Sequence, residues 1–401
     1  MDEALYDSPD YVARARSLGP ALAATADEIE RNRELPASIV SALIGNGLFR
    51  LLQPRSLGGA ELDPMTYVQV VEQIASHDAS TGWCVEQANG CSMAAAFLDP
   101  EVAQEIFGPP DGIVAWGPVG RAELRAVPGG FRLTGAWNFA SGSHHASWLG
   151  AHVVTLGAHV VTLGADGAPL CRADGGEILR TLLFPKSRAT MTDIWHVVGL
   201  RGTGSDRYSV TDLFIPERYT VLRDPTIVPR QPGRLYYFSS SNLYACGVAA
   251  VALGIARGMI ADFTALATEK VPRGAHQRLC ENQVIQSQRA QAEARLGSAR
   301  AFMLTGLDEI WEMVGETGEL SLEQNTMIRL ASTWAIHQAR EVVNTLYHSA
   351  GATAIFDDRP FERRFRDMHT ASQQAQGRQA HYETIGRVLF GLAPDTAMFA
   401  F

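Results

Sequence analysis

At 401 residues the chain can hold two or three hydrophobic cores, and its 46% hydrophobic and 19% charged residues describe a globular protein rather than a disordered one. A net charge of −9 at pH 7 with no long basic run argues against nucleic acid or an anionic membrane as the main partner. Five scattered cysteines (Cys84, Cys91, Cys171, Cys246, Cys280) with no C-x-x-C pair argue against a disulfide framework or a zinc site and suit a reducing cytoplasm.

In chain order, the first section, 1–110, reads as helical. The acidic start Met1-Asp2-Glu3-Ala4 has no apolar h-region, so no secretory signal is expected. Ala21–Arg31 is rich in Ala and Glu, Pro36–Leu43 reads as a helix opened by proline, and Pro64–Ala75 carries apolar residues at helical spacing. The segment from Ser76 to Trp83 fits a helix cap, and His77 there reads as a capping or surface residue.

From 111 to 228 Val, Thr, Gly and Trp dominate and turn signals come close together, the pattern of an antiparallel β domain. Gly129-Gly130 reads as a turn. Phe131–Thr134 alternates as a half-buried strand, and a second short strand, Trp137–Ala140, ends in Ser141-Gly142-Ser143. Such a corner lets backbone N–H groups and a hydroxyl reach a flat ligand. The heptapeptide Gly150–Leu156 is repeated at once as Gly157–Leu163. Seven is odd, so an unbroken strand would turn the second copy's side chains to the other face. One copy is therefore expected as the strand and the other as a bulge or a longer loop, with His152 and His159 poor metal ligands.

From 229 to 401 helix returns. Asn242–Glu269, Gln283–Trp311 and Glu323–Ala350 read as long helices, and Asp367–Gly391 as a fourth, which suits a bundle. The longest apolar run, around Cys246–Ile255, is interrupted by Gly and is short for a bilayer.

Two segments carry a family resemblance. Trp137-Asn138-Phe139-Ala140-Ser141-Gly142, followed by His144-His145-Ala146 and Trp148, resembles the flavin-facing strand of the acyl-CoA dehydrogenase superfamily, in particular its flavin-dependent monooxygenase branch. Gly199-Leu200-Arg201-Gly202-Thr203-Gly204-Ser205, with the later Ile215-Pro216, is similar to a second block of the same domain. With the helical regions, the resemblance spans nearly the whole chain. It implies a mainly α protein with a central β domain: an N-terminal helical domain, an antiparallel β domain and a C-terminal four-helix bundle that also makes a homotetramer interface.

The resemblance further implies the oxygenase component of a two-component (group D) monooxygenase. Such an enzyme uses reduced flavin, FMNH2 or FADH2, and O2 to hydroxylate an aromatic or polycyclic small molecule through a C4a-hydroperoxyflavin. No G-x-G-x-x-G fingerprint is present, so a separate flavin reductase is the expected partner. Ser141 falls where the family contacts flavin N5. Trp116, Phe139, Ala140, Gly142, Arg201 and Ser205 are the other expected flavin neighbours, with Gly351 and Ala352 reaching a neighbouring subunit's flavin. His369, His144 and His145 are the pocket histidines. Ala375 and Tyr244 occupy the two places where dehydrogenases keep a carboxylate base, and Cys91 and Gln374 stand where aromatic hydroxylases carry histidines. An acyl-thioester oxidoreductase, or a non-catalytic flavin-binding member, is the alternative.

Overall fold

The computed structural model describes residues 10–118, 121–154, 156–157, 160–163, 179–223 and 227–395. Six helices come first: α1 (Tyr11–Ser17), α2 (Gly19–Asn32), α3 (Ala37–Gly45), α4 (Pro64–Ala75), α5 (Ala79–Ser92) and α6 (Pro100–Phe107). Local chemistry sets their starts. Asp63 caps α4 by accepting from Thr66 N at 2.8 Å ahead of Pro64, and Asp78 caps α5 by accepting from Thr81 N at 2.7 Å. His77 follows α4, where its Nε2 lies 3.2 Å from Gln73 Nε2.

Among the described residues ten strands follow: β1 (Val114–Trp116), β2 (Arg121–Val127), β3 (Gly130–Ala140), β4 (Trp148–Val154), β5 (Leu156–Gly157), β6 (Val160–Leu163), β7 (Leu179–Pro185), β8 (Thr190–Thr192), β9 (Asp206–Pro216) and β10 (Thr220–Leu222). They form a four-stranded sheet, β1-β4-β7-β10, and a six-stranded sheet, β5-β6-β2-β3-β9-β8. Pairing is antiparallel except for β1 with β4 and β2 with β6.

Two expectations are corrected here. The hairpin at Gly129, with φ +80°, joins β2 to β3, and β3 is one strand rather than two. Its register against β9 slips between Leu133 and Gly135 and again between Trp137 and Ala140. Those bulges bend the strand where two strands were expected. Both copies of the repeat also make strand: the first forms β4, and the second supplies β6 in the other sheet. β-Branched Val and Thr suit either sheet, and the break between the copies frees the second from the first one's face. His159 lies outside the described residues.

The chain ends in α7 (Ser240–Glu269), α8 (Gln283–Thr317), α9 (Leu322–Ala350), α10 (Pro360–Ala371) and α11 (Ala380–Leu389). α7 is long and apolar enough to cross a bilayer, contrary to expectation, yet 89% of its most apolar stretch is buried against the protein. It packs on α4, α5, α9 and α10 and is the core helix that joins the two helical regions. The fourth bundle helix is corrected too. It begins at Pro360 and is broken after Ala371, where Gln374 Oε1 accepts from Gln376 N at 2.6 Å and a side chain on Gly377 would meet Ser372 O at 2.7 Å.

Candidate active site

The bent end of β3 delivers Ser141 into a chain of hydroxyls. Trp83 Nε1, from α5, donates to Ser141 Oγ at 3.1 Å. Ser141 Oγ lies 2.6 Å from Ser205 Oγ, which lies 2.7 Å from Thr203 Oγ1, and Thr203 donates to Leu200 O at 2.9 Å. Each hydroxyl has one proton. Once Thr203 spends its proton on Leu200, Ser205 donates to Thr203 and Ser141 donates to Ser205. Ser141 then keeps only a lone pair for anything outside the chain. The geometry presents an acceptor, complementary to the N–H of a reduced flavin ring. Gly142 N donates to Thr203 O at 2.9 Å and locks the two loops together, at a φ of +73° that suits glycine.

Outside this chain lies an apolar ledge. Phe139, at φ +61° and 55% exposed, meets the edge of Trp195 with centroids 5.9 Å apart, and Val198 nearby is 68% exposed. Asp206 holds that ledge in place: its Oδ1 accepts from Ile194 N at 3.0 Å and Trp195 N at 3.2 Å. Phe139 and Val198 are thus left as exposed apolar surface that a flat ring could cover. Ala140 is buried behind them and pairs with Asp206.

The expected histidines separate. His144 is clamped between two acids, with Nδ1 2.7 Å from Glu34 Oε2 and Nε2 2.8 Å from Asp206 Oδ2, so neither nitrogen is left for substrate. His145 packs on Phe49, and its Nε2 is shut from solvent without a hydrogen bond; burial, then His144 and Lys186, hold the ring down to about 3, so it stays neutral. His369 sits on α10 with Nε2 2.9 Å from Asn344 Oδ1 and its ring on Phe365. Burial lowers its pKa first, with Arg340 adding to this and Glu341 opposing it.

Arg201 lies 3.5 Å from Glu30, which pairs more closely with Arg366 at 2.7 Å, and Arg201 Nε is buried without a partner. Asp367 ties α10 to the loop that carries Ser205, accepting from Leu200 N at 2.6 Å. Gly351 and Ala352 lie exposed at the end of α9, apart from the Ser141 group, and next to them Ile355 and Phe356 are 66% and 57% exposed.

Trp116 belongs to a second group. Its ring takes the edge of His152 at 4.8 Å and the Arg223 guanidinium at 5.1 Å. Arg223 Nε donates to Thr181 Oγ1 at 3.0 Å and Nη1 to Ser240 Oγ at 2.7 Å. Cys91 Sγ lies 3.3 Å from Tyr244 OH. These are two of the positions whose substitution set this chain apart from the dehydrogenase and hydroxylase patterns, and the fold brings them into contact. Burial pushes the Cys91 thiol up to about 12 and the Tyr244 hydroxyl well above its usual range, so neither is a base. Glu86, beneath α7, is also pushed well above the usual carboxyl range by burial, and its Oε1 accepts from Gln87 at 2.6 Å. Trp83, Thr203 and Arg223 had no role in the sequence reading. For Thr203 the signal was its place in the Gly-Leu-Arg-Gly-Thr-Gly-Ser block; Arg223 had none.

The helical–β–helical architecture, the flavin-facing strand and the missing base define a class. The chain belongs to the acyl-CoA dehydrogenase family: residues 15–107 match the acyl-CoA dehydrogenase N-terminal domain and residues 246–378 the C-terminal domain. Within it the chain is an oxidoreductase of the flavin-dependent monooxygenase branch, working with reduced flavin. It is 29% identical to an indole-3-acetate monooxygenase of Pseudomonas putida over 95% of this chain and 96% of that protein. The solved HsaA monooxygenase of M. tuberculosis superposes with a TM-score of 0.86 at 25% identity, covering 98% of this chain and 100% of that one. XiaF from Streptomyces sp., solved with FADH2 and glycerol, superposes with a TM-score of 0.87 at 25% identity over 97% of each chain.

Proposed function

We propose that this protein is the oxygenase component that hydroxylates an aromatic small molecule with O2 and reduced flavin, FMNH2 or FADH2, delivered by a separate reductase. The observation that carries it is the absence of a usable base at the Cys91–Tyr244 face. Oxidising an acyl thioester needs a carboxylate to take the α-proton. Neither expected base position, Tyr244 or Ala375, carries a carboxylate, and the carboxyl beneath that face, Glu86, is closed inside the protein, where burial pushes its pKa well above the usual carboxyl range.

When bound, reduced flavin and O2 supply an electrophilic oxygen atom, a chemistry that needs a dry site. The chain's own residues provide the rest. Phe139, Trp195 and Val198 form the apolar seat. Ser141, oriented through Ser205 and Thr203, offers a fixed oxygen at its edge without any reorganisation. Trp83, buried behind Ser141, fixes that oxygen from the inner side.

Mixing the purified protein with chemically reduced FMN or FAD, 18O2 and a panel of phenols and indoles tests this. The expected result is product carrying one labelled oxygen, with oxidised flavin left unbleached by acyl-CoA thioesters without oxygen. Rapid bleaching by an acyl-CoA overturns the reading. We also infer a homotetramer in the cytoplasm, supported by the exposed Ile355 and Phe356 beside Gly351; a monomer in light scattering overturns the assembly.

A further inference from the structure

Arg223 is a half-buried cation with no acid among the described residues to meet it. Among the described residues no carboxylate lies within ion-pair distance of its guanidinium. Its partners are two neutral hydroxyls, Thr181 and Ser240, and the face of Trp116. A guanidinium has five N–H groups; those two contacts use Nε–H and one proton of Nη1. The end-on edge of the fork, one proton of Nη1 beside those of Nη2, has no partner there. Burial lowers its pKa, and a cation so placed is normally paired.

Accessibility around this point narrows to a few side chains. Every residue of α5 is buried except Gln87. In the first half of α7 only Ser240, Ser241 and Tyr244 are accessible. Ser240 and Tyr244 are four residues apart and project from one face of the helix. Tyr244 OH reaches Gln87 O at 3.5 Å and the Cys91 thiol, while Ser240 holds Arg223. The partly accessible side chains therefore line one opening, with the guanidinium on its wall.

The neighbours also add to the positive field. Arg329, 3% exposed, donates to Ser241 Oγ at 3.2 Å and to Gln376, again with no carboxylate partner among the described residues. The N-terminal end of the 30-residue helix α7 lies between the two arginines. Thr181 Oγ1 accepts from Arg223 Nε and also lies 2.8 Å from His152 Nδ1, so the histidine ring shares its hydroxyl partner with the guanidinium.

We propose that Arg223 is the anchor for a carboxylate on the aromatic substrate, bound end-on through Nη1 and Nη2 while the ring lies toward Tyr244 and Cys91. A planar carboxylate matches the free edge of the fork, which a phenolic oxygen would meet with a single atom. Thr181 and Ser240 are then positioning residues that hold the fork in plane. The proposal rests on the hydroxylase reading for the identity of the opening, but binding tests it without turnover.

The experiment is isothermal titration of the purified, flavin-loaded protein with matched pairs of equal shape: indole-3-acetate against indole-3-acetamide, and phenylacetate against phenylacetamide. Wild type is expected to bind the acid of at least one pair roughly 10-fold or more tighter than its amide. Arg223→Gln is expected to bring that ratio to about one while the amide's affinity stays within about 2-fold. Arg223→Lys keeps the charge without the fork and is expected to fall between, so a poorly folding Gln variant does not block the test. No acid preference in either pair, or a preference that survives in both variants, overturns the proposal. Acid preference without any hydroxylation would leave the anchor standing and remove the hydroxylase reading instead.

Discussion

The hydroxyl chain at Ser141 is buried and the guanidinium at Arg223 half-buried, and the two use their protons differently. From Trp83 to Leu200 every donor meets an acceptor within the chain, between 2.6 and 3.1 Å. At Arg223 two N–H groups are spent and the rest have no partner among the described residues. A cluster that satisfies itself stabilises the fold and holds one geometry. A cluster that leaves donors unspent costs the fold something and gains only when a ligand arrives. The difference separates scaffold from recognition surface, and substitutions should reveal it as loss of stability on one side and loss of binding on the other.

The largest effect is expected at the middle of the self-satisfied chain. Ser205→Val removes one hydroxyl, leaves the Ser141 proton without an acceptor and takes from Thr203 the proton it accepts, while Thr203 still donates to Leu200 O. At about 1–3 kcal/mol for the stranded donor and about 0.5–1.5 kcal/mol for the second lost hydrogen bond, stability should fall by about 2–4 kcal/mol, seen as a lower urea midpoint with an unchanged slope. Retained stability would mean that the hydroxyls do not act as one chain.

Next is Asp367, which holds the Ser205 loop to α10. Burial, reinforced by Glu30 and Asp78 and opposed by the Leu200 N–H and Arg366, raises its carboxyl to about 7. The folded protein then keeps a proton that the unfolded chain releases near pH 4. Stability from this group is therefore lost as pH rises from about 4 to about 7 and is level above that. Three units correspond to about 4 kcal/mol, so a slope of about 2–4 kcal/mol across that window is expected. Asp367→Asn keeps an oxygen for Leu200 N–H and should remove the slope; urea midpoints from pH 5 to 8 for both proteins decide it. Identical pH profiles would show that Asp367 stays ionised.

On the recognition side the expected stability change is small. Arg223→Gln loses two hydrogen bonds to hydroxyls but also removes an unpaired cation from a low-dielectric site, and these oppose one another. A change within about 1 kcal/mol is expected in the same urea assay. A loss of several kcal/mol would place Arg223 with the scaffold and blunt the contrast with Ser205.

The order of helical, β and helical regions was legible because hydrophobic period and turn residues change visibly near 110 and 230. Ser141 was legible from its motif, but its partners were not, since Trp83 and Ser205 lie 58 and 64 residues away. The break in the last helix was missed although Pro360 marked its start, because Gln and Ala at 373–376 carry no strong stop signal and a side chain-to-backbone bond makes the turn. Trp116 is an expected flavin neighbour, and its ring also meets Gly150, His152 and Arg223, contacts that its sequence context did not reveal. Arg223 was silent for a plainer reason: sequence gives the number of arginines but not which of them the fold leaves without an acid.

The smallest effect is expected at His144, and it sharpens the comparison from outside. Its ring bridges Glu34 and Asp206, two acids on different elements, at 2.7 and 2.8 Å. The side chain is 37% exposed, and Glu34 47%, so solvent screens the contact with Glu34; Asp206 is only 9% exposed, and its other oxygen already serves the backbone of Ile194 and Trp195. His144→Gln offers an amide in place of two ring nitrogens and keeps one donor for Asp206. Exposed pairs of this kind are worth about 0–1 kcal/mol, with the upper end expected at low salt and the lower end near 1 M, where charges are screened within about 3 Å. Because Asp206 steadies the Trp195 ledge, the variant should hold its fold yet loosen that edge, raising the flavin dissociation constant by a few-fold while the acid-to-amide binding ratio set by Arg223 stays unchanged. If His144→Gln instead abolished turnover with flavin affinity intact, the histidine would have to reach the reacting atoms, and its clamp between two carboxylates would not be its resting arrangement during catalysis.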